Sequence, residues 1–150
     1  MAKRKKSKSL FTVQNILRFV AAALGIGAFF FMFGNQVKVS ATFILTISGE
    51  ASFSDTFFSN WGSPLGFIGY LLLLIGGAAA CILALAKFDK GVRTVVNLLV
   101  GVILLTGSVL VFLTAVPING ASLLACPIIA GMLGAFATLC VCCAFALDLK

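Results

Sequence analysis

Histidine is absent from this chain, and carboxylates are scarce. The 150 residues contain no His and only four acidic residues, which are Glu50, Asp55, Asp89 and Asp148. Histidine is the commonest general base and the commonest metal ligand, so its absence removes the usual catalytic and metal-binding arrangements. The sequence also lacks a phosphate-binding glycine loop, a nucleophile elbow and a metal-ligand spacing. We therefore expect a protein that is not an enzyme and that uses neither a cofactor nor a metal ion.

Charged residues are also too few for a water-facing surface. Only 10% of the residues are charged and 61% are apolar, whereas an ordinary soluble chain has roughly 25% charged residues. The solvent for most of this chain must therefore be a lipid bilayer.

Four long apolar runs define the predicted fold. Each run is long enough to cross a bilayer as a helix. The prediction is an all-α membrane protein, a bundle of four transmembrane helices with an extracytoplasmic β-strand or hairpin loop between helices 1 and 2. In order, the segments are a basic leader (1–15), helix 1 (16–34), an outer β-rich loop (35–63), helices 2, 3 and 4 (64–87, 92–116 and 121–147) and a tail (148–150).

Positive charge falls almost entirely on one side of this arrangement. Ten of the eleven Lys and Arg residues lie in the leader, the turn between helices 2 and 3 or the tail, or within three residues of them, and only Lys38 lies in the outer loop. The positive-inside rule then predicts a multi-pass protein of the cell membrane with both termini in the cytoplasm. The net charge of +7 reflects this topology and not a nucleic-acid partner. A signal peptide cleaved near Val39-Ser40-Ala41 is an alternative for helix 1.

The outer loop contains the sequence pattern of a β-hairpin. Apart from Ile44, apolar and polar residues alternate over 37–48, Ser48-Gly49-Glu50 can form a turn, and 51–58 can return as a weaker strand. This loop is either the working surface or a lid on the bundle. Its interaction candidates are Phe43, Glu50, Asp55 and Trp61. We expect Trp61 and Tyr70 near the outer headgroups.

Small residues recur along the predicted helices, where they permit close packing in lipid. In helix 4 they recur every four positions, at Ala130, Gly134, Thr138, Cys142 and Ala146. The stripes are interpreted as seams inside the bundle, although one of them could dock a partner or a second copy. The packing candidates are Gly62, Gly69, Gly76, Asn97, Gly101, Ser108, Ala130, Gly134 and Thr138.

Ionisable residues are missing from the middle of the predicted spans. Arg18 is placed at or near the cytoplasmic interface, and Asn97 is predicted to hydrogen-bond between helices, with pore lining as the alternative. Cys140, Cys142 and Cys143 could pack, be acylated or bind a soft metal. A membrane disulfide oxidoreductase would need a cysteine pair on the outer side, where only Cys126 lies.

The basic leader, the run Gly66-Phe67-Ile68-Gly69-Tyr70-Leu71-Leu72 and the Gly-rich last two spans resemble uncharacterised small four-span membrane proteins of Gram-positive bacteria and mollicutes. That resemblance implies a fold but no activity. The order of one helix, an outer strand segment and three helices is similar to claudin-type tetraspans in topology. The chain has only Trp61-Gly62 of their Trp-Gly-Leu-Trp motif and no loop cysteine.

The sequence thus favours a non-enzymatic integral membrane protein, an accessory or interaction subunit of a bacterial cytoplasmic membrane that acts through its outer loop or its helix seams. One alternative is a subunit of a multi-chain transporter or channel, and a weaker one is a thiol-based redox or soft-metal protein. The expected partners are the lipid bilayer and another membrane protein or a second copy, with no nucleic acid.

Overall fold

The chain folds around four long helices. The computed structural model describes residues 12–42, 46–51, 64–115 and 121–150. Within these residues four helices are long and apolar enough to cross a membrane, and the predicted all-α four-helix bundle is confirmed. The helices are α1 (Val13–Phe30), α2 (Pro64–Leu85), α3 (Lys90–Phe112) and α4 (Ala125–Asp148). Short 3-10 segments follow α1 (Phe31–Phe33) and α3 (Leu113–Ala115).

Each helix buries one stripe with a seven-residue repeat. In α2 the repeat is clearest, because Gly66, Leu73 and Ala80 are all buried. A seven-residue repeat keeps the same face inward only when the helices wind slightly around each other, as in left-handed bundles. The other helices follow the same rule, with buried residues at 18, 21, 22, 25 and 28 in α1, at 97, 100, 101, 104, 107, 108 and 111 in α3, and at 127, 130, 131, 134, 137, 138, 141 and 144 in α4.

The four helices form an antiparallel ring. Each packs against its neighbours in the chain, and α1 packs against α4 to close the ring. The start of α1 meets the end of α4 at Arg18 and Asp148, and the start of α2 meets the end of α3 at Gly69 and Val111. We call the end with the starts of α1 and α3 the basic end, and the opposite end the sheet end.

Large apolar side chains cover the outside of the ring. Val95, Leu98, Val102 and Leu105 of α3 are each more than half exposed, and comparable side chains are exposed on the other helices. Such a surface in water would oppose folding, whereas in a bilayer it is solvated by lipid. The four apolar helices therefore indicate a multi-pass membrane protein in contact with lipid.

A three-stranded antiparallel sheet lies beyond the helix ends at the sheet end. Its strands are β1 (Val37–Thr42), β2 (Thr46–Ala51) and β3 (Ala121–Leu123), in the order β2-β1-β3. Lys38 is opposite Glu50 on one side and opposite Ser122 on the other. The predicted turn at Ser48-Gly49-Glu50 is wrong, because these residues pair within β2. The third strand was not predicted, since three residues are too few to show an alternating pattern.

Proline fixes the starts of two helices. Pro64 is the first residue of α2, as its missing N–H allows. Pro127 is the third residue of α4, which begins at Ala125 rather than at 121. The first four N–H groups of a helix have no partner within it, so the missing N–H of Pro127 removes no hydrogen bond from α4. At the basic end, α2 ends at Leu85 and α3 begins at Lys90, two residues earlier than 87 and 92.

Candidate functional site

A buried arginine joins three helices at the basic end. Arg18 of α1 is completely buried. Its Nε donates to Asn97 Oδ1 of α3 at 3.3 Å, and its Nη1 donates to Asn15 Oδ1 at 3.0 Å. Its Nη2 forms an ion pair and hydrogen bond with Asp148 Oδ2 at the end of α4. Asn97 Nδ2 also donates to that oxygen at 3.0 Å. We call Asn15, Arg18, Asn97 and Asp148 the arginine cluster.

The sequence does not reveal that Arg18 is buried. Arg18 faces the interior of the bundle, on the α1 repeat that also buries Gly25. Lipid excludes a charge that is not paired, so a cation at this place requires a carboxylate and further acceptors. Asp148 and the two asparagines provide them. Arg18 is the sixth residue of α1, about 8 Å from the helix start at a rise of 1.5 Å per residue.

The basic end contains a cavity of 610 Å³ that opens between the four helices. We call it the vestibule. All four helices contribute to it, and Asn15 and Asp148 of the arginine cluster form part of its wall. Its other polar lining residues are Thr12, Gln14, Lys87, Asp89, Lys90, Arg93, Thr94 and Lys150. Four cationic side chains thus share this cavity with two carboxylates, and one of those carboxylates is already bound by Arg18.

Arg93 is the vestibule cation with an unsatisfied buried donor among the described residues. It is half-buried on α3, and it lies near enough to Arg18 for the two like charges to repel. Its Nε is buried and has no hydrogen-bond partner among the residues that the structure describes. A buried guanidinium N–H without an acceptor is unfavourable, because it has lost water and gained nothing. The described residues therefore leave one donor of Arg93 unused.

The sheet end has a second buried polar group, which the sequence did not reveal. Gln36 is completely buried. Its Nε2 lies 2.9 Å from Phe31 O, 2.9 Å from Met32 O and 2.7 Å from Gly34 O, and its two hydrogens can serve two of these carbonyls at a time. Its Oε1 accepts a hydrogen bond from Tyr70 Oη at 2.8 Å, and its backbone O accepts one from Leu124 N at 3.0 Å.

These bonds connect α1, α2 and the start of α4 to the first strand. Tyr70, which the sequence predicts near the outer headgroups, is completely buried among the helices at the sheet end. A tyrosine in a headgroup belt keeps its hydroxyl in water, whereas this hydroxyl is used by Gln36. Gln36 and Tyr70 therefore hold the sheet on the helices.

We predict that Tyr70→Phe lowers the free energy of unfolding by about 1–3 kcal/mol, because it leaves the buried Gln36 Oε1 without its donor. Unfolding by dodecyl sulfate in mixed micelles, followed by circular dichroism, measures the change. In a Gln36→Met background the same substitution should have a clearly smaller effect, since the acceptor is already gone. Equal effects in both backgrounds would contradict the role given to this bond.

Apolar side chains fill the bundle between its two polar ends. Leu73, Leu83, Val100, Leu104 and Val141 are at most 2% exposed. Two internal hydroxyls bond to helix carbonyls, Ser108 Oγ to Gly131 O at 2.6 Å and Thr138 Oγ1 to Gly134 O at 2.9 Å. This packed middle separates the vestibule from the sheet end.

The proposed packing residues lie at several different seams. A methyl group at Gly69 would approach Gly107 O to 2.9 Å, one at Gly76 would approach Leu104 Cδ2 to 2.7 Å, and one at Gly134 would approach Ser108 Cβ to 3.1 Å. At Gly101 the nearest atom would be Val141 Cγ1 at 3.8 Å, which is ordinary contact. The remaining described candidates, Asn97, Ser108, Ala130 and Thr138, are buried.

The four-residue stripe of α4 does not stay inside the bundle. Ala130, Gly134 and Thr138 are buried, but Cys142 and Ala146 are exposed. Four residues rotate a helix by about 400°, so such a stripe turns by about 40° at each step. By Cys142 it has left the interior, and Val141 and Ala144 take its place.

The cysteines are spread over the bundle, and Cys126 lies beside Gly34 at the sheet end. All five are free; Cys142 and Cys143 are exposed and Cys81, Cys126 and Cys140 are half-buried. Packing inside the bundle, one of the three roles that the sequence leaves open for these cysteines, is therefore wrong for Cys142 and Cys143. Among the residues that the structure describes, no group of three or more cysteines or carboxylates is placed to hold a metal ion.

Several predicted interaction residues fall outside the described residues. Phe43, Asp55, Trp61 and Gly62 are among them. Glu50 lies in β2, where only its backbone is described. Comparison of the chain with family models, with curated proteins and with solved structures finds no match.

Proposed function

We propose that this chain is a non-enzymatic accessory protein of a bacterial cytoplasmic membrane, which binds another membrane protein through its sheet end. Both termini are in the cytoplasm, so that the basic end faces inward and the sheet faces outward. The cationic residues around the vestibule support this orientation through the positive-inside rule. The interaction rests on the outer sheet and on the bundle seams next to it.

The observation that carries this proposal is the way the sheet is attached to the bundle. β1 is central, so β2 and β3 each have an edge without a partner strand in the described sheet. An open strand edge can pair with a strand of another chain. Gln36, the residue before β1, hydrogen-bonds to the 3-10 segment after α1, to Tyr70 of α2 and to the residue before α4. A partner bound at this edge would therefore contact a surface fixed rigidly to the membrane.

The packed middle of the bundle supports an accessory role over conduction by one chain. Leu73, Val100 and Leu104 occupy the axis, where a transport path would need polar groups or a cavity. A role as one subunit of a transporter remains compatible with this packing only if other chains supply the path.

The orientation is tested by labelling with a membrane-impermeant maleimide. In a background with the five cysteines replaced by Ala, Ser122→Cys in β3 and Gly91→Cys in α3 are compared in intact cells. Both sites are exposed, and a Cβ at Gly91 meets no atom within 4 Å. We expect labelling of Ser122→Cys alone, with Gly91→Cys labelled only after the cells are opened. Labelling of Gly91→Cys in intact cells would reverse the topology.

The accessory role is tested by purifying the tagged full-length chain in mild detergent. We expect a stoichiometric membrane-protein partner that Ser122→Arg releases and that Gly91→Arg, the matched change at the basic end, retains. If the chain alone carries ions or solutes across liposomes, the accessory proposal is wrong.

A further inference from the structure

The vestibule combines three features that ordinary packing does not require. It is a cavity of 610 Å³, within the size range of small-ligand sites. Its lining holds Lys87, Lys90, Arg93 and Lys150. One of these cations, Arg93, has a buried Nε without an acceptor among the described residues. Arg93 is half-buried overall, so the wall of this cationic cavity includes a partly desolvated arginine.

The carboxylates do not neutralise this cavity. Asp148 Oδ2 accepts from Arg18 and from Asn97, so this acid compensates the buried arginine first. Asp89 precedes α3 and is exposed, and its side chain makes no capping hydrogen bond to that helix. Arg93 and the three lysines therefore exceed the remaining negative charge. An anion bound here would also reduce the repulsion between Arg93 and Arg18.

We propose that the vestibule binds a phosphate-type oxyanion through Arg93, with Lys90 and Lys87 as further contacts. A phosphate group carries several acceptor oxygens and matches the planar donor arrangement of a guanidinium. The same chemistry is available from the headgroup of an anionic phospholipid and from a soluble phosphate. The position of the vestibule at the helix ends places it at headgroup depth. This proposal does not depend on the accessory role.

The lipid source is tested with the full chain in nanodiscs of phosphatidylcholine that contain a minor fraction of phosphatidic acid. Native mass spectrometry counts the phosphatidic acid molecules that stay bound. The soluble source is tested by calorimetric titration of inorganic phosphate into the chain in nanodiscs of phosphatidylcholine alone. Binding in either arm supports the site, and the arm in which it occurs identifies the source.

Three variants test whether anion binding depends on the vestibule or only on a general attraction of anions to positive charge. We expect Arg93→Gln to weaken binding at least about tenfold, because it removes a charge-assisted hydrogen bond. Lys90→Gln should weaken it less. Lys38→Gln removes the same charge from β1 at the sheet end and should leave binding unchanged. Lys90 is exposed, so its effect does not depend on altered folding.

Two outcomes would overturn the proposal. One is the absence of binding in both arms. The other is binding that Arg93→Gln and Lys90→Gln change no more than Lys38→Gln does. The accessory role would survive either result, since its partner and its test lie at the sheet end.

Discussion

Asp148→Asn is expected to lower the free energy of unfolding by about 3 kcal/mol. The substitution leaves Arg18 completely buried with no carboxylate to balance its charge. Breaking a buried ion pair from one side typically costs about 3–5 kcal/mol, because the remaining charge stays desolvated. The lower part of that range applies here, because the Asp148 side chain is 12% exposed at the end of α4. Unfolding by dodecyl sulfate in mixed micelles provides the measurement.

The paired variant distinguishes charge compensation from simple loss of packing. Arg18→Met combined with Asp148→Asn removes both charges. The double variant should lower the free energy of unfolding by less than the sum of the two single variants, with a difference of at least about 1 kcal/mol. Lys150→Gln is the matched control, because it removes a nearby exposed charge that no bond of the arginine cluster uses. Lys150→Gln is expected to change the free energy of unfolding by no more than about 0.5 kcal/mol. If Asp148→Asn behaves like Lys150→Gln, the cluster does not stabilise the bundle.

The four helices were predictable because long hydrophobic runs are strong local signals. Pro64 marked the start of α2 correctly, and the lengths of the apolar runs gave four helices. The helix ends were predicted less accurately, since α1 already begins at Val13 and includes Gln14 and Asn15. Polar residues at a helix start can face the vestibule or bond to Arg18, and the apolar pattern alone does not show this.

The buried polar sites were harder to predict because their partners are far apart in the chain. Arg18 and Asp148 are separated by 130 positions, and Tyr70 and Gln36 by 34. One signal for the first pair was present. Arg18 is seven residues before Gly25, so the inward repeat of α1 includes a charge. For Gln36 no periodicity was available, since it lies between a 3-10 segment and β1.

Gly69→Ala is expected to lower the free energy of unfolding by about 1–3 kcal/mol, although alanine favours a helix over glycine by about 1 kcal/mol. The new methyl group would lie 2.8 Å from Val111 N and 2.9 Å from Gly107 O. Both are backbone atoms, so no side-chain rotation can make room, and α2 and α3 must move apart. Close approach of helices is a main source of their association in lipid. Unfolding by dodecyl sulfate in mixed micelles measures the stability that is lost when α2 and α3 move apart.

Gly101→Ala and Gly27→Ala are the matched controls for this seam. A Cβ at Gly101 meets only Val141 Cγ1 at 3.8 Å, and a Cβ at Gly27 meets nothing within 4 Å. Both variants should therefore be neutral or more stable by up to about 1 kcal/mol. Gly107 packs against Gly69 across the same seam, with Gly69 O at 2.9 Å from its added Cβ. One displacement of the helices accommodates both methyl groups. Gly69→Ala combined with Gly107→Ala should therefore lower the free energy of unfolding by less than the sum of the two single variants. If Gly69→Ala instead matches Gly101→Ala, α2 and α3 do not pack as closely as this seam requires.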